Sequence, residues 1–107
     1  GNMNISQQLV AAGFDKVAQS LPFRMERMRS NGIECDEASL LTTIERDEFR
    51  SIKCRMRLAK VTTFAELEEH GRLVTLLASF TTESRTWLMK LPLLRLQIMM
   101  DAVESSW

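Results

Sequence analysis

The sequence predicts an all-α chain, a compact bundle of four to six helices, on three observations. Four Gly and two Pro punctuate 107 residues, and there is no Tyr. No Asn-Gly or Asp-Gly turn separates two alternating apolar runs, which is the strongest short signal of a β-hairpin. Apolar residues instead recur at steps of three and four, the period that lines one face of a helix.

Taken in order, Ile5, Leu9, Val10, Phe14, Val17 and Leu21 predict a first helix from Ile5 to about Ser20, with Asn4 or Ser6 as N-cap. Pro22 suits the first turn of a short second helix, Phe23–Arg29. Ser30-Asn31-Gly32 ends it, with Gly32 in the left-handed conformation. Asp36 is an N-cap for a third helix running to about Lys60, and Glu37 suits the positive end of its dipole. Leu40, Leu41, Ile44, Phe49, Ile52, Met56 and Ala59 form its apolar side, although the step from Ile44 to Phe49 is one residue too long for an ideal stripe. Residues 52 to 58 also alternate apolar and basic, as a half-exposed strand would. No partner strand is visible, so helix is the preferred reading.

Thr63 to Glu66 reads as a capping box, the hydroxyl and the carboxylate each satisfying a first-turn amide of a fourth helix, Phe64 to about Phe80. Leu67, Leu73 or Val74, Leu77 and Phe80 point inward, while Glu66, Glu69 and Arg72 face water. Gly71 weakens the middle of this helix by about 1 kcal/mol relative to Ala. Thr81 or Thr82 caps a last segment from Glu83 to Ser105. Pro92 lacks the amide proton a helix interior needs, so this segment is kinked there or split into Glu83–Lys90 and Pro92–Ser105.

The composition describes one globular domain over residues 1–107, with Gly1-Asn2 ahead of Met3 reading as a cloning remnant. An apolar fraction of 45% and a charged fraction of 26% are ordinary for such a domain. A chain of this size buries about 65% of the surface its unfolded form exposes, enough for a core without metal or disulfides. Fourteen cations against fourteen carboxylates exclude a supercharged nucleic-acid coat. Cys35 and Cys54 have no second pair and no His cluster to complete a zinc site, so both are expected as free thiols. No run of about 18 apolar residues reads as a membrane span, and no secretory signal opens the chain, so a cytoplasmic location without membrane association is expected.

The C-terminal segment is the most informative. At 100° per residue, Trp87, Leu91, Leu94, Ile98 and Ala102 gather on one side, and Met89, Leu93, Leu96, Met100 and Val103 on the other. A helix that is apolar on two faces must be covered twice, by its own bundle or by a second chain. These residues are the expected partner-binding or dimer interface. Seven Met, among them Met25, Met28, Met89, Met99 and Met100, add adaptable apolar surface, although Met at helical spacing is more often core filler.

A second pattern is basic. Arg46, Arg50, Lys53, Arg57 and Lys60 are spaced 4, 3, 4 and 3, within about 80° of one another on a helix. With Arg55, residues 46–60 hold six cations against Asp47 and Glu48, whereas residues 61–107 carry a net charge of −2. Solvated charge on an outer helix face is the plain explanation; nucleic-acid phosphates or an acidic partner surface are the functional ones. A helix-turn-helix reading fits poorly, because Asp36 and Glu37 would occupy the turn that approaches DNA.

Catalytic patterns are scarce. His70 is the only His, and Glu66 at i−4, with Glu69 beside it, lacks the further ligands that a metal site needs. Cys54 lies among Lys53, Arg55 and Arg57, but a nucleophile needs a partner base and none stands near it in sequence. There is no Gly-rich phosphate loop and no Gly-x-Ser-x-Gly element. Neither an enzyme nor a cofactor or metal is expected. The sequence therefore points to a helical protein–protein interaction module, regulatory or chaperone-like, that forms a homodimer or other homo-oligomer through its C-terminal segment. The alternative is a nucleic-acid-associated transcriptional regulator using the basic face.

Overall fold

In the computed structural model, which describes residues 4–107, the chain begins its first helix, α1 (Ile5–Ala11), at a complete capping box. Asn4 Oδ1 accepts the amide of Gln7 at 2.9 Å, and Gln7 Oε1 accepts the amide of Asn4 at 3.0 Å. The expectation about Gly1-Asn2 and Met3 concerns positions outside the described residues. The first helix does not continue to Ser20 as its apolar spacing predicts. Gly13 has φ +93°, a conformation that L side chains rarely adopt, and turns the chain before α2 (Asp15–Ser30). Apolar periodicity survives the corner because both helices press on the same core, which is why spacing alone hides the break.

Pro22 does not open a second helix but lies in the interior of α2. Proline cannot donate to the carbonyl four residues back, which frees Ala18 O. The Ser6 hydroxyl of α1 donates to that carbonyl at 3.3 Å, so the bond lost inside α2 is replaced by one that ties α1 to it. Beyond the helix end at Ser30, Gly32 has a φ of +71° that lets the Ile33 amide return to Met28 O at 2.9 Å.

The single helix expected from Asp36 to Lys60 is two. Asp36 caps α3 (Glu37–Thr43) by accepting the Ser39 amide at 2.7 Å, a bond that holds its carboxyl below the usual range. Ile44 is extended, with ψ 142°, and α4 (Arg46–Ala59) follows. The overlong step from Ile44 to Phe49 is this break. Residues 52 to 58 are helical, and Lys60 closes α4 in the left-handed region at φ 54°.

Thr63 caps α5 (Phe64–Phe80) by accepting the Glu66 amide at 3.2 Å. The other half of the expected capping box is different: Glu66 Oε1 accepts from the hydroxyls of Thr62 and Thr63. Glu37 Oε1 instead takes the Phe64 amide at 3.0 Å, joining the starts of α3 and α5. The last segment consists of α6 (Arg85–Leu88) and α7 (Leu93–Ser105), with Pro92 at the N-cap position of α7. Ser84, not Thr81 or Thr82, caps α6 by accepting the Trp87 amide at 3.1 Å. Thr81 closes α5, its hydroxyl donating to Leu77 O at 2.6 Å.

The described residues thus form seven helices and no strand, more and shorter helices than the four to six expected. Two apolar clusters organise them. The first joins α1 to α4 with the start of α5 through Leu9, Leu21, Leu40, Ile52, Phe64 and Leu67. The second joins the rest of α5 to α6 and α7 through Leu73, Val74, Leu77, Leu88, Leu96 and Met100. Because α5 threads both, the molecule is long: 53 × 29 × 19 Å, with a radius of gyration of 15.5 Å. A compact chain of this length has about 13 Å.

Between the clusters lies a polar seam. Gly71 lets the end of α1 approach α5 so closely that a Cβ there would stand 2.9 Å from Ala11 O. Arg55 of α4 enters the same place, donating to Ala12 O and standing 5.9 Å from the Phe14 ring centroid. His70 is fully buried beside it, and the Leu91 carbonyl lies 2.7 Å from Nε2. A carbonyl only accepts, so Nε2 carries the proton and buried Nδ1 is left without a partner among the described residues.

Candidate interaction surfaces

On α7 the two apolar faces meet different fates. Leu96 and Met100 are buried, and Leu93 and Val103 half-buried, in the second cluster. On the opposite face Leu94 is 67% exposed and Ile98 57%, with Ala102 exposed beside them. Trp87 on α6 is 42% exposed, while Leu91 and Met89 are half-buried against the second cluster. Of the residues expected at a partner surface, Leu96 and Met100 are therefore core, because α5 covers that side. Leu94, Ile98 and Trp87 stand open.

One inward expectation fails at the end of α5. Phe80 is exposed and packs edge-on against the exposed Trp107, ring centroids 5.2 Å apart. With the His70–Leu91 contact, this pair fixes the direction of α7: residue 70 lies by residue 91 and residue 80 by residue 107. Helices α5 and α7 run the same way, and the α6 segment returns the chain between them.

The basic row is presented as its spacing predicts. Arg46, Arg50, Lys53 and Arg57 on α4, and Lys60 at its end, are all exposed. None forms an ion pair among the described residues. Lys53 lies 5.0 Å from the centroid of the Phe49 ring, an exposed cation–π contact. Glu48, the nearby carboxylate, turns instead to Arg24 of α2 at 3.9 Å.

The residues considered for metal or acid–base chemistry do not converge. Glu66 is held by the two threonine hydroxyls, Glu69 pairs with Arg72 at 2.5 Å, and His70 faces Leu91 O. Among the described residues no group of three His, Cys, Asp or Glu side chains is placed to hold a metal ion. Burial, reinforced by the positive charge of Arg55 and outweighing the Leu91 contact, pushes the His70 pKa down. Arg55 is also lowered, by burial and then by Arg85, yet has no carboxylate partner among the described residues. Cys54 is exposed and Cys35 half-buried, both as free thiols. No described helix is long and apolar enough to cross a membrane.

A groove between α4 and α6 was not legible as a site in the sequence. Leu58, Cys54, Arg50 and Arg55 line one wall; Met89 and Lys90 line the other. The available signal was Arg55, which the helical wheel sets opposite the basic row, on the apolar side of α4. Comparison of the chain with protein families, with curated proteins and with solved structures finds no match in any of the three.

Proposed function

We propose that this chain is a small protein–protein interaction module of the cytoplasm, regulatory or chaperone-like, that self-associates through the open face of α7. The observation that supports this reading is the exposure of Leu94 and Ile98 on a helix whose other face is already buried. Water contact with such a strip is unfavourable by about 25 cal/mol per Å², so covering several hundred Å² yields several kcal/mol before association entropy is subtracted. The same strip on a second copy is the simplest cover, since a two-fold pair sets identical patches against each other. Mass measured in solution over a dilution series tests it. A concentration-dependent dimer that Leu94→Glu with Ile98→Glu abolishes supports the reading. A strict monomer that binds no apolar dye removes both the dimer and any open docking face.

A second reading has its own support. Five exposed cations in a row, without carboxylate partners among the described residues, would neutralise phosphates along a nucleic acid, contacting backbone more than bases. Binding through all five would weaken with salt at a log–log slope of about −4. Absence of DNA or RNA binding at low salt eliminates it.

A further inference from the structure

Cations arranged around an apolar floor select a different ligand from cations on a bare helix. The groove between α4 and α6 is shallow and open, with a volume of about 570 Å³, within the range of sites that hold a bound side chain or small ligand. Its α4 wall runs from Arg50 to Leu58, about 12 Å at the helical rise. Leu58 is 46% exposed there, and half-buried Met89 faces it from the end of α6. Arg50 and Lys90 are exposed on opposite walls; Arg55 also lines the groove, but its guanidinium turns inward to Ala12 O and the Phe14 ring. No carboxylate lines the groove among the described residues.

We propose that this groove binds an acidic amphipathic segment of a partner protein, seating an apolar side chain between Leu58 and Met89 while its carboxylates meet Arg50 and Lys90. Charge complementarity identifies the occupant. Two exposed cations, Arg50 and Lys90, with no acidic neighbour among the described lining residues, repel a basic segment and attract an acidic one. The floor selects further: a nucleic-acid duplex presents phosphates but nothing apolar to cover Leu58, whereas an amphipathic helix presents both along one side. The Arg55 guanidinium adds positive charge from the seam behind the groove, where no carboxylate among the described residues pairs with it. Arg50 belongs to the basic row as well, so the rest of that row extends the acidic track beyond the groove. This surface is separate from the open face of α7, and either can fail without the other.

The groove carries its own reporter, because Cys54 is exposed in its wall while half-buried Cys35 lies elsewhere. The probes are two synthetic peptides of about four helical turns, one with Leu along one face and Glu or Asp on the rest, the other with Ser in place of each Leu. Oligothymidine is the third. Binding is read by anisotropy at low and high salt, and alkylation of each cysteine by a maleimide is read by mass.

The leucine peptide is expected to bind at least about tenfold more tightly than the serine peptide, to weaken with salt, and to slow alkylation of Cys54 but not of Cys35. Arg50→Glu with Lys90→Glu, checked for unchanged helicity, should weaken it by about tenfold or more. The proposal is overturned by no binding of the leucine peptide, by equal binding of the serine peptide, by unprotected Cys54 in the bound state, or by preference for oligothymidine. Cys54 protection is measured on the natural sequence, so the result stands even where the charge-reversed variant does not fold.

Discussion

The two ends of α5 belong to differently built halves of the molecule. Its first part, Phe64 and Leu67, enters a cluster closed by four other helices, whose outward surface on α4 is charged. Its second part, Leu73, Val74 and Leu77, joins the cluster formed with α6 and α7, and there the outward surface of α7 is apolar. Thirteen apolar side chains are buried in the first cluster and six in the second, among the described residues. A helix at the rim of a large cluster can give its outer face to charge. A helix in a thin two-layer half that keeps apolar residues outside leaves surface for another body to cover.

The largest effect should come from the smaller half. Leu77→Ala removes a fully buried side chain from the second cluster and should cost about 2–5 kcal/mol. Chemical denaturation gives the magnitude, and hydrogen exchange locates it. Amides of α7 should lose protection before those of α2, and a uniform loss would show that the halves unfold as one.

Next is the joint itself. Gly71→Ala places a methyl group 2.9 Å from Ala11 O, a backbone atom, and 3.3 Å from Arg55 Nη2. Overpacking of this kind costs about 1–3 kcal/mol, against roughly 1 kcal/mol gained in helix propensity. Thermal unfolding should report a net loss; a stabilised variant would mean that α1 moves freely off α5.

The smallest effect concerns buried His70, whose pKa is pushed down from its ordinary value near 6.5. Above that value neither folded nor unfolded chain is protonated there, and the contribution is constant. As pH falls below it, the unfolded chain takes up the proton first, so stability declines, by at most about 1.4 kcal/mol per pH unit for one group. The decline ends once the folded state is protonated too. Stability compared between pH 7 and pH 5 should fall more in the natural sequence than in His70→Gln, which can still donate to Leu91 O. Parallel profiles would place the imidazole in contact with water.

Helix identity was legible in particular residues. Asp36 and Thr63 cap as their types imply, Gly32 is left-handed, and the basic row is exposed where its spacing sets it. Helix ends were less so. Gly13 breaks a helix whose apolar spacing runs straight through, and the overlong step before Phe49 was visible without revealing that α3 stops there. Pro22 misled because its missing hydrogen bond is replaced across the corner by Ser6, a contact that no local pattern contains. The candidate sites divide similarly. Two apolar faces on α7 could be read from the sequence, but which one α5 covers could not.

By itself, then, the sequence determined what is local: helical content, caps, the turn at Gly32, the row of cations and the double apolar character of the last helix. Those depend on residues within a turn or two of one another. Tertiary structure alone decided which apolar face stayed open, that Arg55 would lie beside His70 with no carboxylate partner among the described residues, and that Leu58 and Met89 would line opposite walls of one groove. Each of those depends on helices distant in sequence sharing a limited apolar interior, and that allocation appears in no single stretch of chain.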